Sequence, residues 1–193
     1  MSKHLDLGCG KTPRNPYRRD ELYGIDLSGS VGEGLIRKAN LVTQKIPFAD
    51  SSFESVSAYD FLEHVPRVLA TADGESTRFP FIELMDEIYR VLKPGGLFYA
   101  STPVYPHKVA FQDPTHVNII TVDTHTYFAR PQKMAAMYGF GGDFVARRVQ
   151  LARPNSQTLY IPAPEGWWQR LRQAHRERRG ACGHVIWEFE AVK

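Results

Sequence analysis

A short apolar run near the start of the chain ends in Asp6-Leu7-Gly8-Cys9-Gly10. Glycines at that spacing let a backbone turn sharply and approach a bound molecule with no Cβ atom in the way. Leu22 to Leu27 forms a second apolar run that carries Asp26 near its end and stops at Ser28-Gly29. A carboxylate there can accept hydrogen bonds from hydroxyls. Proton-handling groups come later: His64, then His107, Asp113 and His116 within the polar stretch Thr102 to Thr121. A histidine or carboxylate with a pKa near neutrality can take the proton from a hydroxyl nucleophile. Loops that follow rigid strands are where such groups collect. Each has a plainer reading too: His64 as a helix-face histidine bonded to backbone, Asp113-Pro114 as a turn opener.

Other chemistries fail on particular residues. A Walker loop needs a glycine where Leu5 stands, and a dinucleotide-binding turn needs one where Pro13 stands. No Gly-x-Ser-x-Gly elbow is present for a nucleophilic serine. His107, His116 and His125 recur every nine residues, and Cys182-Gly183-His184 stands alone. Neither is zinc spacing, so no metal site is expected.

Strands alternating with helices must position these groups. Apolar segments at His4–Leu7, Leu22–Leu27, Ser55–Tyr59, Gly96–Ser101, Phe144–Leu151 and His184–Val192 read as strands. Lys11 to Asp20 is short and proline-broken, a poor crossover helix. Phe79 to Leu92 sets Phe81, Leu84, Met85, Ile88, Val91 and Leu92 at helical spacing, and Lys93-Pro94-Gly95-Gly96 stops it. Pro131 to Tyr138 reads as a shorter helix closing at Gly139. This order predicts an α/β fold with a mostly parallel sheet and a paired β finish. Residues 154–183 interrupt the last two strands as an insertion. Within it, Trp167 to Gly180 predicts a helix of about four turns. Trp167, Trp168, Leu171, Ala174 and His175 share one face, expected to pack on the domain, and arginines occupy the rest.

Taken in order, these segments resemble the class I S-adenosylmethionine-dependent methyltransferases, of the methyltransferase type 11 kind. Leu5-Asp6-Leu7-Gly8-Cys9-Gly10 is similar to the family's first motif, and Tyr23-Gly24-Ile25-Asp26 to its second strand. Ile46-Pro47-Phe48-Ala49-Asp50-Ser51-Ser52-Phe53 resembles the approach to the fourth strand, and Leu62-Glu63-His64-Val65 the segment after it. Glu87 to Gly96 resembles the E-x-x-R-V-L-K-P-G-G that precedes the fifth strand. Asp113-Pro114-Thr115-His116 is similar to a motif of bacterial members often linked to sugar modification.

The resemblance implies a Rossmann-like sheet, mostly parallel with an antiparallel C-terminal strand, and helices on both faces. It implies S-adenosyl-L-methionine as cofactor, in a crevice beyond the carboxyl ends of the strands. Cofactor-binding positions are then Asp6, Gly8, Cys9, Gly10, Asp26, Leu27, Asn40, Leu41 and Tyr59, with Asp26 on the ribose hydroxyls. His64, His107, Asp113 and His116 are the candidates for the catalytic base. Asn40 stands where the family usually has an acid for the adenine amino group. The first strand begins at residue 4, and the first crossover is short. Cover over the cofactor is therefore expected from the insertion or from a partner subunit, as in a homodimer.

Composition sets the frame. With 42% hydrophobic and 23% charged residues among 193, the chain reads as one globular domain, residues 1–193, with its insertion. The longest run free of charges and histidine, Pro94 to Pro106, holds three prolines and is too short to span a bilayer. No secretory signal is expected. Two cysteines, Cys9 and Cys182, make no disulfide framework and favour the cytoplasm. A net charge of +3 does not by itself call for nucleic acid. The expected function is methyl transfer to an oxygen of a small-molecule or glycan-type acceptor; methylation of RNA or another polyanion, and a non-catalytic S-adenosylmethionine-binding module, are the alternatives.

Overall fold

A computed structural model describes residues 1–28, 35–155 and 157–193. Gly29, read as the stop of the second strand, and Ser156 of the insertion lie outside them. β1 (Lys3–Leu7), β2 (Glu21–Asp26), β3 (Ile36–Lys38) and β4 (Phe53–Tyr59) follow one another with no helix among the described residues between them. A small hairpin, β5 (Leu69–Ala70) with β6 (Thr77–Arg78), precedes α1 (Pro80–Val91), which runs into β7 (Leu92–Pro103). Then come the four-residue α2 (Val109–Gln112), β8 (Phe144–Ala152), α3 (Gly166–Arg178) and β9 (His184–Ala191).

The large sheet has the order β3-β2-β1-β4-β7-β9-β8. β3 through β7 are parallel, and β9 runs antiparallel between β7 and β8. β1 is central, which explains its short apolar sequence: Leu5 and Leu7 are fully buried. From β1 the chain moves outward to β3, then returns to lay β4 on the other side of β1. The strand order thus reverses between β1 and β4, where an open α/β sheet leaves a crevice at its carboxyl edge.

The two faces are covered differently. Phe81, Leu84, Met85, Ile88 and Val91 of α1 bury against one face, joined by Phe128, Ala135 and Phe140. On the other, Tyr59, Tyr99, Ala152 and Ile186 pack with Tyr17 and Ile161. Tyr17 comes from the proline-broken first crossover, so a side chain from a loop fills a place that a helix would otherwise take. Phe53 pairs with Leu92 and Ser55 with Leu97, so Lys93 to Gly96 bulge out where the sequence predicted a helix stop. The helix predicted over 131–138 contracts to a 3-10 turn, Met134–Tyr138. Lys133, at φ 45°, takes the left-handed conformation and breaks the path into it.

The insertion divides into two parts. Its first strip is fastened to the sheet: Tyr59 Oη donates to the Leu159 carbonyl, Ile161 N–H donates to Tyr99 Oη at 3.1 Å, and Arg148 donates to the Ile161 carbonyl. Its helix, α3, buries no residue. The expected packing of its tryptophans on the domain does not occur: Trp167 and Trp168 are 63% and 60% exposed. The side chain that reaches the domain is Gln173, which donates to the Leu151 carbonyl.

Candidate functional site

A buried polar chain sets the shape of the glycine turn. Asp6 Oδ2 accepts the Arg14 N–H at 2.8 Å and Oδ1 accepts Ser57 Oγ–H at 2.6 Å. Because Ser57 donates to Asp6, it accepts from Nε2 of His4 at 2.8 Å. That leaves Nδ1 of His4 to accept from Ser55 Oγ, also at 2.8 Å. Burial pushes His4 down to about 3 and Asp6 up to about 7, the latter opposed by its hydrogen bonds. Asp6 therefore works from beneath, holding the crossover loop in place.

Above it lies a crevice of about 490 Å³ bordered by Gly8, Asp26, Leu27, Asn40 and Leu41 at one end and Asp60, Phe61, His64 and Thr115 at the other. Asp26 ends β2 and accepts the Gly10 N–H at 2.9 Å on Oδ2, and both Ser28 N–H and Oγ–H on Oδ1. Those hydrogen bonds outweigh its partial burial and hold its carboxyl below the usual carboxylate range. Gly8 (φ 62°) is required by its own neighbour, because a Cβ there would stand 2.5 Å from the Phe61 ring. Gly10 (φ 59°) faces open space instead. Leu27, 63% exposed, and the buried Leu41 both line the crevice and give it apolar surface. Asn40 Oδ1 accepts the Val42 N–H at 3.1 Å, which fixes the turn that presents it. Of the predicted cofactor-binding residues, Asp6, Cys9, Gly10 and Tyr59 do not line the crevice. Cys9 Sγ packs toward Gly24, its thiol pushed up to about 12 by burial and the Asp6 and Asp26 charges. Tyr59 is buried on the second face, with Arg14 4.6 Å from its ring.

At the other end, the segment after β4 meets the loop after β7. The Glu63 carbonyl accepts N–H groups from Val117 and Asn118, both at 2.9 Å, and so docks that loop. Thr115 Oγ1 donates to Asp113 Oδ1 at 2.7 Å, so it accepts from Nδ1 of His64 at 3.0 Å. The Nε2 of His64 is then the nitrogen with a lone pair. His116 donates through Nδ1 to the Ala110 carbonyl at 3.2 Å, and its ring stands 4.8 Å from that of His64. Three of the four predicted catalytic residues therefore converge. His107 does not join them: its Nδ1 accepts the Val109 N–H at 3.3 Å and its ring packs on Gly183.

Two further residues belong here. Asp60, held at φ 48°, borders the crevice and pairs with Nε2 of His184 at 2.9 Å. Glu63 is buried, accepts from Thr102 Oγ1 at 2.8 Å and keeps Oε1 without a hydrogen-bond partner, 3.9 Å from Nε2 of His116. Burial raises its carboxyl to about 7, with the Asp60 and Asp113 charges adding. Both lie in the Asp60-to-His64 segment, directly after the carboxyl end of β4, of which the sequence offers His64 as the candidate. Glu63, His64 and His116 each bring one ligand-type atom within 4.8 Å of the others.

The crevice suits an adenosyl cofactor. Asp26 offers a carboxylate that could accept hydrogen bonds from hydroxyls, Leu27 and Leu41 offer apolar surface for a ring, and Gly10 leaves the backbone open to close approach. The family described as Methyltransferase domain matches residues 5–100. A 24-methylenesterol C-methyltransferase 2 of Arabidopsis thaliana is 25% identical over 193 residues, covering 88% of this chain and 47% of the relative. The chain spans about half the length of the curated relatives it matches. A methyltransferase structure from Archaeoglobus fulgidus superposes with TM-score 0.53 at 15% identity, covering 100% of this chain and 86% of that one. The geranyl diphosphate C-methyltransferase of Streptomyces coelicolor gives 0.55 at 16% identity, covering 100% and 73%. Residues 5–100, about half of the chain, thus carry a methyltransferase domain, and the fold is that of the S-adenosylmethionine-dependent methyltransferases.

Proposed function

We propose that this chain methylates a hydroxyl oxygen of a small-molecule or glycan-type acceptor. The observation that carries this reading is the His64–Thr115–Asp113 relay at one end of the crevice. When bound, S-adenosylmethionine supplies a methyl group already activated by the positive sulfur. The protein's share is alignment and proton transfer. Asp26 and the Gly10 turn hold the adenosyl end, and the His64 end of the crevice receives the acceptor. The two hydrogen bonds from Thr115 keep Asp113 well ionised. That carboxylate favours a proton on Nδ1 of His64, leaving Nε2 to take the acceptor's proton. Glu63 and His116 stand behind, with Oε1 of one 3.9 Å from Nε2 of the other.

Incubating the chain with methyl-labelled cofactor and a panel of hydroxylated metabolites and sugar nucleotides tests this. Thr115→Val should lower turnover by roughly tenfold or more at saturating cofactor, with cofactor affinity by calorimetry unchanged. An unaltered rate, or product labelled on carbon as the sterol relative's name describes, would replace the oxygen reading.

A further inference from the structure

Helix α3 turns its apolar side away from the protein. Trp167, Leu171 and His175 recur every four residues and, with Trp168, cover an arc of about 100° at 3.6 residues per turn. Gln173, the residue that holds α3 to the domain, lies on the opposite side. The indoles of Trp167 and Trp168 stack with centroids 3.6 Å apart, and Leu171 beside them is 56% exposed. Arg170 flanks one border of this stripe and Arg172, Arg176 and Arg179 the other, while Arg178, seven residues after Leu171, caps the stripe at its C-terminal end. The position of the helix is equally telling. Ala152, the end of β8, pairs with His184, the start of β9, and His184 pairs with Pro103 at the end of β7. The insertion thus leaves and re-enters the sheet at its carboxyl edge, where the crevice opens, and His184 bonds Asp60 within that crevice.

We propose that α3 lies in the surface of an anionic bilayer and brings the crevice edge to an acceptor carried by the membrane. The acceptor part rests on the methyltransferase reading above; the membrane part stands on the helix alone. A stripe of tryptophan and leucine bordered by arginines matches the layered chemistry of a bilayer surface, where indoles sit at headgroup level and cations meet anionic lipid. The helix does not cross: its 13 residues extend about 20 Å, against a hydrocarbon core of about 30 Å. A second copy fits the same stripe poorly, because five arginines would face five others. Single-stranded nucleic acid fits less well than lipid, because the two indoles are spent on each other and Leu171 offers a base nothing to stack on.

The test is co-sedimentation of the whole chain with vesicles of phosphatidylcholine alone or with about 30% phosphatidylglycerol. The chain should bind the anionic vesicles, with a blue shift of tryptophan emission, and bind the neutral ones at least about tenfold more weakly. Trp167→Ser with Trp168→Ser should weaken anionic binding by about tenfold or more, while cofactor affinity by calorimetry stays the same. No binding to anionic vesicles, or equal binding by the variant, overturns the proposal. So does self-association through α3, or tighter binding to RNA than to vesicles. Vesicle binding without cofactor binding would instead remove the methyltransferase reading and leave the membrane site standing.

Discussion

Glycine identity at positions 8 and 10 serves two different needs. Gly8→Ala adds a Cβ into the Phe61 ring on a left-handed backbone, so it should destabilise the chain by about 2–3 kcal/mol in thermal unfolding. Gly10→Ala meets only the backbone penalty, about 1–2 kcal/mol, and its larger effect should be weaker cofactor binding by calorimetry. His4 offers a test by pH. Its folded pKa is lowered to about 3 from 6.5, so the unfolded chain gains a proton below 6.5 that the folded chain refuses. Relative to His4→Gln, the native chain should therefore lose stability as pH falls from 6.5 towards 3. Urea unfolding of both chains across that range reads the difference; parallel curves would show that His4 is not held neutral.

Among the elements, the strip fastened by Tyr59 and Tyr99 is structural roof, while α3 is not. Tyr160 packs against Tyr17 and Tyr99 with ring centroids 6.0 and 5.4 Å away and lies under Arg148 at 5.0 Å. Tyr160→Ala should cost about 1–2 kcal/mol of stability by chemical denaturation. The periodicity of α1 and the alternation in β9 made those elements legible, because each has one face committed to the core. The 3-10 turn at Met134 was not, because a left-handed Lys133 is a local choice made by surrounding packing. The exposed side of α3 is not legible in the sequence for a related reason. Amphipathicity reports that a helix has an apolar face, but not what lies against it.

For the whole molecule, the sheet and its crevice should be independent of α3. Replacing residues 166–179 by a flexible Gly/Ser linker should shift the melting temperature by less than about 4 °C, under 1 kcal/mol for a chain of this size, and leave cofactor affinity unaltered. A large drop would mean that the helix packs on the domain after all. The sequence by itself determined the parallel sheet, the glycine turn and the carboxylate after β2, because short-range pattern and turn chemistry specify them locally. Only the tertiary structure decided that Glu63 and His116, 53 positions apart in the chain, face each other, that His107 stands aside, and that Cys9 and Tyr59 turn from the crevice. Such pairings follow from the crossover of β4 past β1 and the docking of one loop on another, and no local spacing encodes them.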